Sequence, residues 1–162
     1  MVGLSNTVNP MYVTLPGEPM TQGRGNAQCK VNSITGAHQI FRACQGTFVD
    51  FDLISAEGRD LIDDLLWNDG DGSMVLREAA EQYLIDGCLD VREHGYRHSG
   101  DCWNVTHHEI VLTIGGPSCR ILIDIDDSIR VLYQDAGTSE QVLPITDDER
   151  LAIAWFADLV AV

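Results

Sequence analysis

Basic residues are scarce in this chain: 10 Lys and Arg stand against 25 Asp and Glu in 162 residues, a formal net charge of −15. A surface so short of cations repels nucleic acid, anionic membranes and phosphorylated ligands, and it is drawn to basic protein clefts. Long apolar runs are missing as well, none approaching the roughly 20 residues needed to cross a bilayer. Met1 to Pro10 has neither a basic start nor an apolar stretch, so no secretory signal is expected there. Phosphate-loop chemistry is absent, because Gly23-Arg24-Gly25 has neither the required spacing nor a following Lys-Ser/Thr. No Gly-x-Ser-x-Gly nucleophile elbow occurs either. The five cysteines, Cys29, Cys44, Cys88, Cys102 and Cys119, are odd in number and without close pairs. That suits reduced thiols, most of them buried as small hydrophobes, better than a disulfide framework. The chain reads as a soluble cytosolic protein for which no cofactor is implied.

What is present is enough apolar material for a core, 44% of residues, which argues against disorder despite the charge. Residues 1–32 are dense in Gly, Pro, Asn, Thr and Gln and read as an irregular arm, with a short strand at Met11 to Leu15. Residues 33–162 then read as a single α+β domain. Gln39 to Leu53 alternates loosely and suggests one or two strands broken at Gly46. A helical period follows, with Leu61, Ile62, Leu65 and Leu66 as its apolar stripe and Asp60, Asp63 and Asp64 on the other side. A second helix runs from about Ser73 to Ile85, burying Leu76, Ala80, Tyr83 and Leu84 and ending at Gly87.

Alternation at His108 to Ile114, Arg120 to Ile125 and Ile129 to Tyr133, joined by short turns at Gly115-Gly116-Pro117 and Asp126-Asp127-Ser128, predicts consecutive antiparallel strands. Thr146-Asp147-Asp148-Glu149 is a capping box that opens a last helix, with Leu151, Trp155 and Leu159 on one face. The expected architecture is an antiparallel sheet of three to five strands with a helical pair and a C-terminal helix packed on it.

Two constellations carry possible chemistry. The run from Trp67 to Glu78 resembles the calcium loop of an EF-hand, with Asp69, Asp71, Gly72 and Glu78 in matching places. Trp67, however, stands where such a loop begins with an aspartate, and no second loop exists to pair with it. A helix–helix turn is the preferred reading. The second constellation is Cys88, His94, His98, Cys102, His107 and His108, from which His94, His98, Cys102 and His107 form a candidate zinc set. Its spacing matches no compact knuckle, and adjacent His107 and His108 point to opposite faces of any strand. A hairpin with polar tips is preferred. Cys102 beside His98, and Cys119 beside a turn, lack any local nucleophile signature.

Between Gly95 and Ala161, the run His108-Glu109-Ile110-Val111-Leu112-Thr113-Ile114-Gly115-Gly116-Pro117 is followed by Arg120-Ile121, by Leu132-Tyr133-Gln134-Asp135-Ala136-Gly137-Thr138 and by a terminal Leu-Ala-rich helix. This resembles a family of small uncharacterised proteins of phages, prophages and mobile elements, which share a Gly-Gly-Pro strand turn and a Tyr-Gln-Asp-x-Gly-Thr signature. Ala136 and Ser139 replace the aromatic and proline usual there. The resemblance lends no reaction; it implies provenance.

Provenance and charge together lead to the expectation of a non-enzymatic inhibitor of a host nucleic-acid-targeting defence complex, of anti-CRISPR or anti-restriction type. It would work in the host cytoplasm by mimicking nucleic acid before a basic protein partner, binding neither nucleic acid nor membrane itself. The candidate acidic face comprises Asp60, Asp63, Asp64, Asp69, Asp71, Glu78, Asp124, Asp126, Asp127, Asp147, Asp148 and Glu149. The alternatives are a small zinc- or calcium-binding domain and a protein-interaction accessory without mimicry.

Overall fold

The computed structural model describes residues 20–68, 75–100 and 102–160. Their elements are helix α1 (Gln22–Ala43), a 3-10 turn (Phe51–Leu53), helices α2 (Ala56–Asn68) and α3 (Leu76–Gly87), strands β1 (Asp90–Tyr96), β2 (Asn104–Thr113), β3 (Ser118–Asp124), β4 (Ile129–Gln134) and β5 (Gln141–Leu143), and helix α4 (Asp147–Leu159). The class is α+β, and the five strands form one antiparallel sheet in the order β1-β2-β3-β4-β5. Contacts divide the chain into a sheet unit, which takes the residues up to Cys29 together with Leu89–Ile145, and a helical unit, Lys30–Cys88 with Thr146–Val162. One domain over 33–162 had been expected.

In the sheet unit, period-two alternation sorts side chains onto two faces, the second of which carries buried Val111, Leu122 and Leu132 beside its charged groups. Ile110 pairs with Ile121, Ile121 with Val131 and Val131 with Leu143, so these side chains share one face, and all four are buried. Tyr133 and Cys119 pair with each other and extend the same apolar surface. On the other face His94 lies opposite His107, Arg92 opposite Glu109, and Glu109 opposite Leu122. Short connections explain the meander. Gly115 adopts φ 95, a left-handed conformation that costs glycine little, between β2 and β3. Asp127 takes φ 62 between β3 and β4, where Ser128 N–H donates to Asp126 Oδ1. β1 is an edge strand and mostly exposed, so it carries no apolar period to announce it.

The largest departure from expectation is α1. An irregular arm to residue 32 and strands from Gln39 were predicted, yet Gln22–Ala43 is one continuous helix. Its buried positions, Ala27, Val31, Ile34, Ala37 and Ile40, recur at helical spacing, but several are small and lie among Gly, Asn and Thr, which masked the period. The strand at Met11 to Leu15 lies outside the described residues. Within the helical unit Gly36 and Gly58 allow α1 and α2 to touch: a Cβ on Gly36 would sit 2.7 Å from the Glu57 carbonyl oxygen. Gln39 Oε1 accepts from Ser55 N–H and Ser55 Oγ–H, each at 3.0 Å, which ties the α2 approach to α1.

Helix α4 begins at the predicted capping box, with Glu149 N–H donating to Thr146 Oγ1 at 3.2 Å and Thr146 N–H to Glu149 Oε2 at 2.7 Å. Its buried face is Ala152, Ile153, Phe156 and Ala157, not the predicted Leu151, Trp155 and Leu159. Both stripes have helical spacing, and periodicity alone does not choose between them; packing turns the one with two small alanines inward. Leu151 is left exposed, while Trp155 lies 5.3 Å from the His38 ring and 5.2 Å from Phe41. On α3 Ala80 and Leu84 are buried as expected and Tyr83 is exposed. Among the described residues no helix is long and apolar enough to cross a membrane.

Candidate functional site

Helix α2 displays the sharpest acidic feature of the helical unit. Asp60, Asp63 and Asp64 are exposed while Leu61 and Leu65 are buried and Ile62 is half-buried, so the expected amphipathic split holds at Leu61 and Leu65. Asp60 and Asp64 also border an open cavity of about 90 Å³ with Asn32, Ser33, Glu57 and Leu61. Glu57 titrates below the ordinary carboxylate range because the Ser55 hydroxyl hydrogen-bonds its charged form. Glu78 is exposed in the first turn of α3, and Asp147 and Asp148 are exposed in that of α4. Glu149 is spent on its cap. Asp69 and Asp71, the centre of the loop that resembles an EF-hand, lie outside the described residues.

The remaining acids of the candidate face, Asp124, Asp126 and Asp127, belong to the sheet unit. Asp124 is engaged, accepting from Arg130 Nη2 at 3.1 Å and from Ser128 Oγ at 3.0 Å. Asp126 is held below the usual range by its hydrogen bond from Ser128. These carboxylates stabilise the β3–β4 turn.

The candidate zinc set does not assemble. Among the described residues no group of three or more His, Cys, Asp or Glu side chains is placed to hold a metal ion. His98 packs edge-on against Tyr96 with ring centroids 5.1 Å apart, and Cys102 is exposed. His108 turns to the other face, 3.6 Å from Glu93, as the alternation required. His94 and His107 do meet: the β1–β2 register sets them opposite each other and their rings stack at 4.5 Å with an interplanar angle of 7°.

Beside that stack lies a residue the sequence did not single out. The Glu109 side chain is only 4% exposed, and His94 Nε2 contacts its Oε2 at 2.6 Å. Arg120 Nη1 donates to Glu109 Oε1 at 2.8 Å while its Nε and Nη2 grip both oxygens of Glu140. Arg92 stands 3.9 Å from Glu109 and 2.6 Å from Asp90. Burial pushes the Glu109 carboxyl upward, but the hydrogen bonds from Arg120 and His94 outweigh it and hold the group below the usual carboxylate range. Arg120 is shifted upward in turn, first by Glu140 and then by Glu109. A carboxylate in a strand that otherwise reads as half-buried gives no local signal; the register that stacks Arg92, Glu109 and Leu122 across three strands creates the site.

A β-bulge between His94 and Gly95 aims this end of β1. Gly95 is required there, because a Cβ would collide with the Asn104 carbonyl oxygen.

No family model, curated protein or solved structure matches this chain.

Proposed function

We propose that this protein is a non-enzymatic inhibitor that occupies the basic nucleic-acid channel of a host defence complex, its exposed carboxylates standing where phosphates would lie. The observation that carries the reading is the exposed row Asp60, Asp63 and Asp64 on α2, set in a helical unit with fifteen acids and five bases, a net of −10. A helix rises about 1.5 Å per residue, so this row places three charges along roughly 6 Å of axis. Duplex DNA carries about one per 1.7 Å, a comparable linear density. Asp147, Asp148 and Glu78 add exposed carboxylates within the same unit. The resemblance of Gly95 to Ala161 to mobile-element proteins suggests the setting.

The test is capture of partners from host lysate at low and high salt, followed by competition of this protein with labelled duplex for the captured effector. The expected partner is a nucleic-acid-binding subunit that is released as salt rises and whose duplex this protein displaces. Replacing Asp60, Asp63 and Asp64 together by Asn weakens the competition. Capture that is indifferent to salt and to the triple replacement refutes the mimic.

A further inference from the structure

The sheet unit contains a second arrangement that the proposed inhibition does not use. His94 and His107 face each other across β1 and β2, and each has one ring nitrogen already committed. His94 points Nε2 at the buried Glu109 carboxylate, so this nitrogen carries the proton and Nδ1 keeps its lone pair. The Thr106 hydroxyl donates its proton to the His94 carbonyl oxygen at 3.2 Å. It therefore accepts from His107 Nδ1 at 3.1 Å, which leaves the lone pair of His107 on Nε2. Two neighbouring imidazoles are thus fixed in the tautomers that leave one donor nitrogen each.

A histidine whose far nitrogen donates to a buried carboxylate is the arrangement that orients metal-ligating imidazoles and raises their basicity. The carboxylate is already neutralised by Arg120, so it stays in place as a hydrogen-bond acceptor and does not compete as a ligand. His94 is 41% exposed, which leaves room for an ion to enter and for water to complete its coordination.

We propose that His94 and His107 form a two-histidine site for a borderline divalent transition cation, Cu2+, Ni2+ or Zn2+, with Glu109 as the outer-shell group that positions His94. The ion seats against His94 Nδ1 and His107 Nε2 as the stacked rings splay from their 7° parallel arrangement, with the His94 Nε2–Glu109 contact kept. Water fills the remaining positions. Cu2+ binds most tightly, as expected for imidazole donors.

The experiment is titration of the tag-free full chain with ZnCl2, NiCl2 and CuCl2, read by imidazole NMR signals and by metal stoichiometry after desalting. One equivalent is expected to shift or broaden the His94 and His107 signals together, while His38, His98 and His108 stay unmoved. His94→Ala and His107→Gln, on separate strands, each abolish stoichiometric binding, with the metal-free amide spectrum confirming the fold. Glu109→Gln weakens binding about 10- to 100-fold. The proposal is overturned if the two signals do not respond in the unaltered chain, if His98 or Cys102 responds in their place, or if His94→Ala binds the metals as tightly as before. Duplex competition by the metal-free protein is measured in parallel, so this site and the inhibitory reading stand or fall separately.

Discussion

The helical unit holds fifteen acids and five bases, the sheet unit ten and five. The difference in net charge matters less than the difference in what the charges touch. Across the sheet, Arg92, Arg120 and Arg130 are each held by carboxylates: Asp90 and Glu109, Glu109 and Glu140, and Asp124. Strand register brings residues distant in sequence side by side, so acids and bases on one face meet. On α2, by contrast, like charges stand side by side, Asp60, Asp63 and Asp64 forming one exposed row. A row of like charge on the surface serves solubility or a partner of opposite charge.

The largest effect that follows is in the sheet. Arg120→Met removes the guanidinium from a carboxylate only 4% exposed and is expected to cost about 3 kcal/mol in urea unfolding, near the penalty for leaving a buried charge short of partners. A loss below about 1 kcal/mol, the range of exposed ion pairs, erases the contrast between the units.

Next comes a packing test of the helical unit. Gly36→Ala places a methyl 2.7 Å from a backbone oxygen and is expected to lower stability by about 2 kcal/mol by calorimetry, although Ala is favoured over Gly in an open helix by about 1 kcal/mol. A stabilised variant means the two helices do not meet as closely as described. Thr146→Ala removes the α4 cap, with an expected loss of about 1 kcal/mol in the same assay.

Acid separates the units by pH window, both groups losing their contribution as pH falls. His38 is held below its ordinary value of 6.5, chiefly by burial and then by Arg42, against an opposing pull from Asp148. Its neutral form is favoured in the folded state, so the stability it contributes is complete above 6.5 and declines as pH falls from there. Glu109 is held below 4.5, so its contribution persists until pH falls below that value toward the folded pKa. Amide exchange across a pH series is expected to show protection weakening around His38 first and around Glu109 later. Reversal of that order contradicts these environments.

The smallest effect on stability belongs to the acidic row. Asp60, Asp63 and Asp64 changed together to Asn are expected to move the unfolding free energy by no more than about 0.5 kcal/mol, as exposed positions do, while competition with duplex for the captured effector weakens. A large stability loss with unchanged competition assigns these aspartates to the fold.

Much of the fold was legible because local patterns agreed with it. β-branched alternation around Ile110, Ile121 and Val131, bounded by short turns, announces the central strands, and Thr146 with Glu149 announces α4. α1 was misread because its buried Ala and Gly positions contribute little to an apolar pattern and act by letting helices approach. β1 is expected only as part of the polar-tipped hairpin, because a charged edge shows no apolar period, and β5, three residues long, gives no strand signal. Of the histidines and cysteine grouped as a metal set, two were brought together and two were not, because sequence spacing says nothing about which strand positions face each other.

By itself the sequence determined the α+β class, the net charge, the order of the central strands, the amphipathic split of α2 and the cap of α4, all of which depend on periodicity, composition or contacts a few residues apart. Tertiary structure alone decided which stripe of α4 is buried, that Gly36 and Gly58 form a helix contact, and that Glu109 lies beneath Arg120 and His94 beside a histidine pair. Each of these depends on register or approach between segments far apart in the chain, where neighbours are chosen by packing and hydrogen bonding across strands and helices.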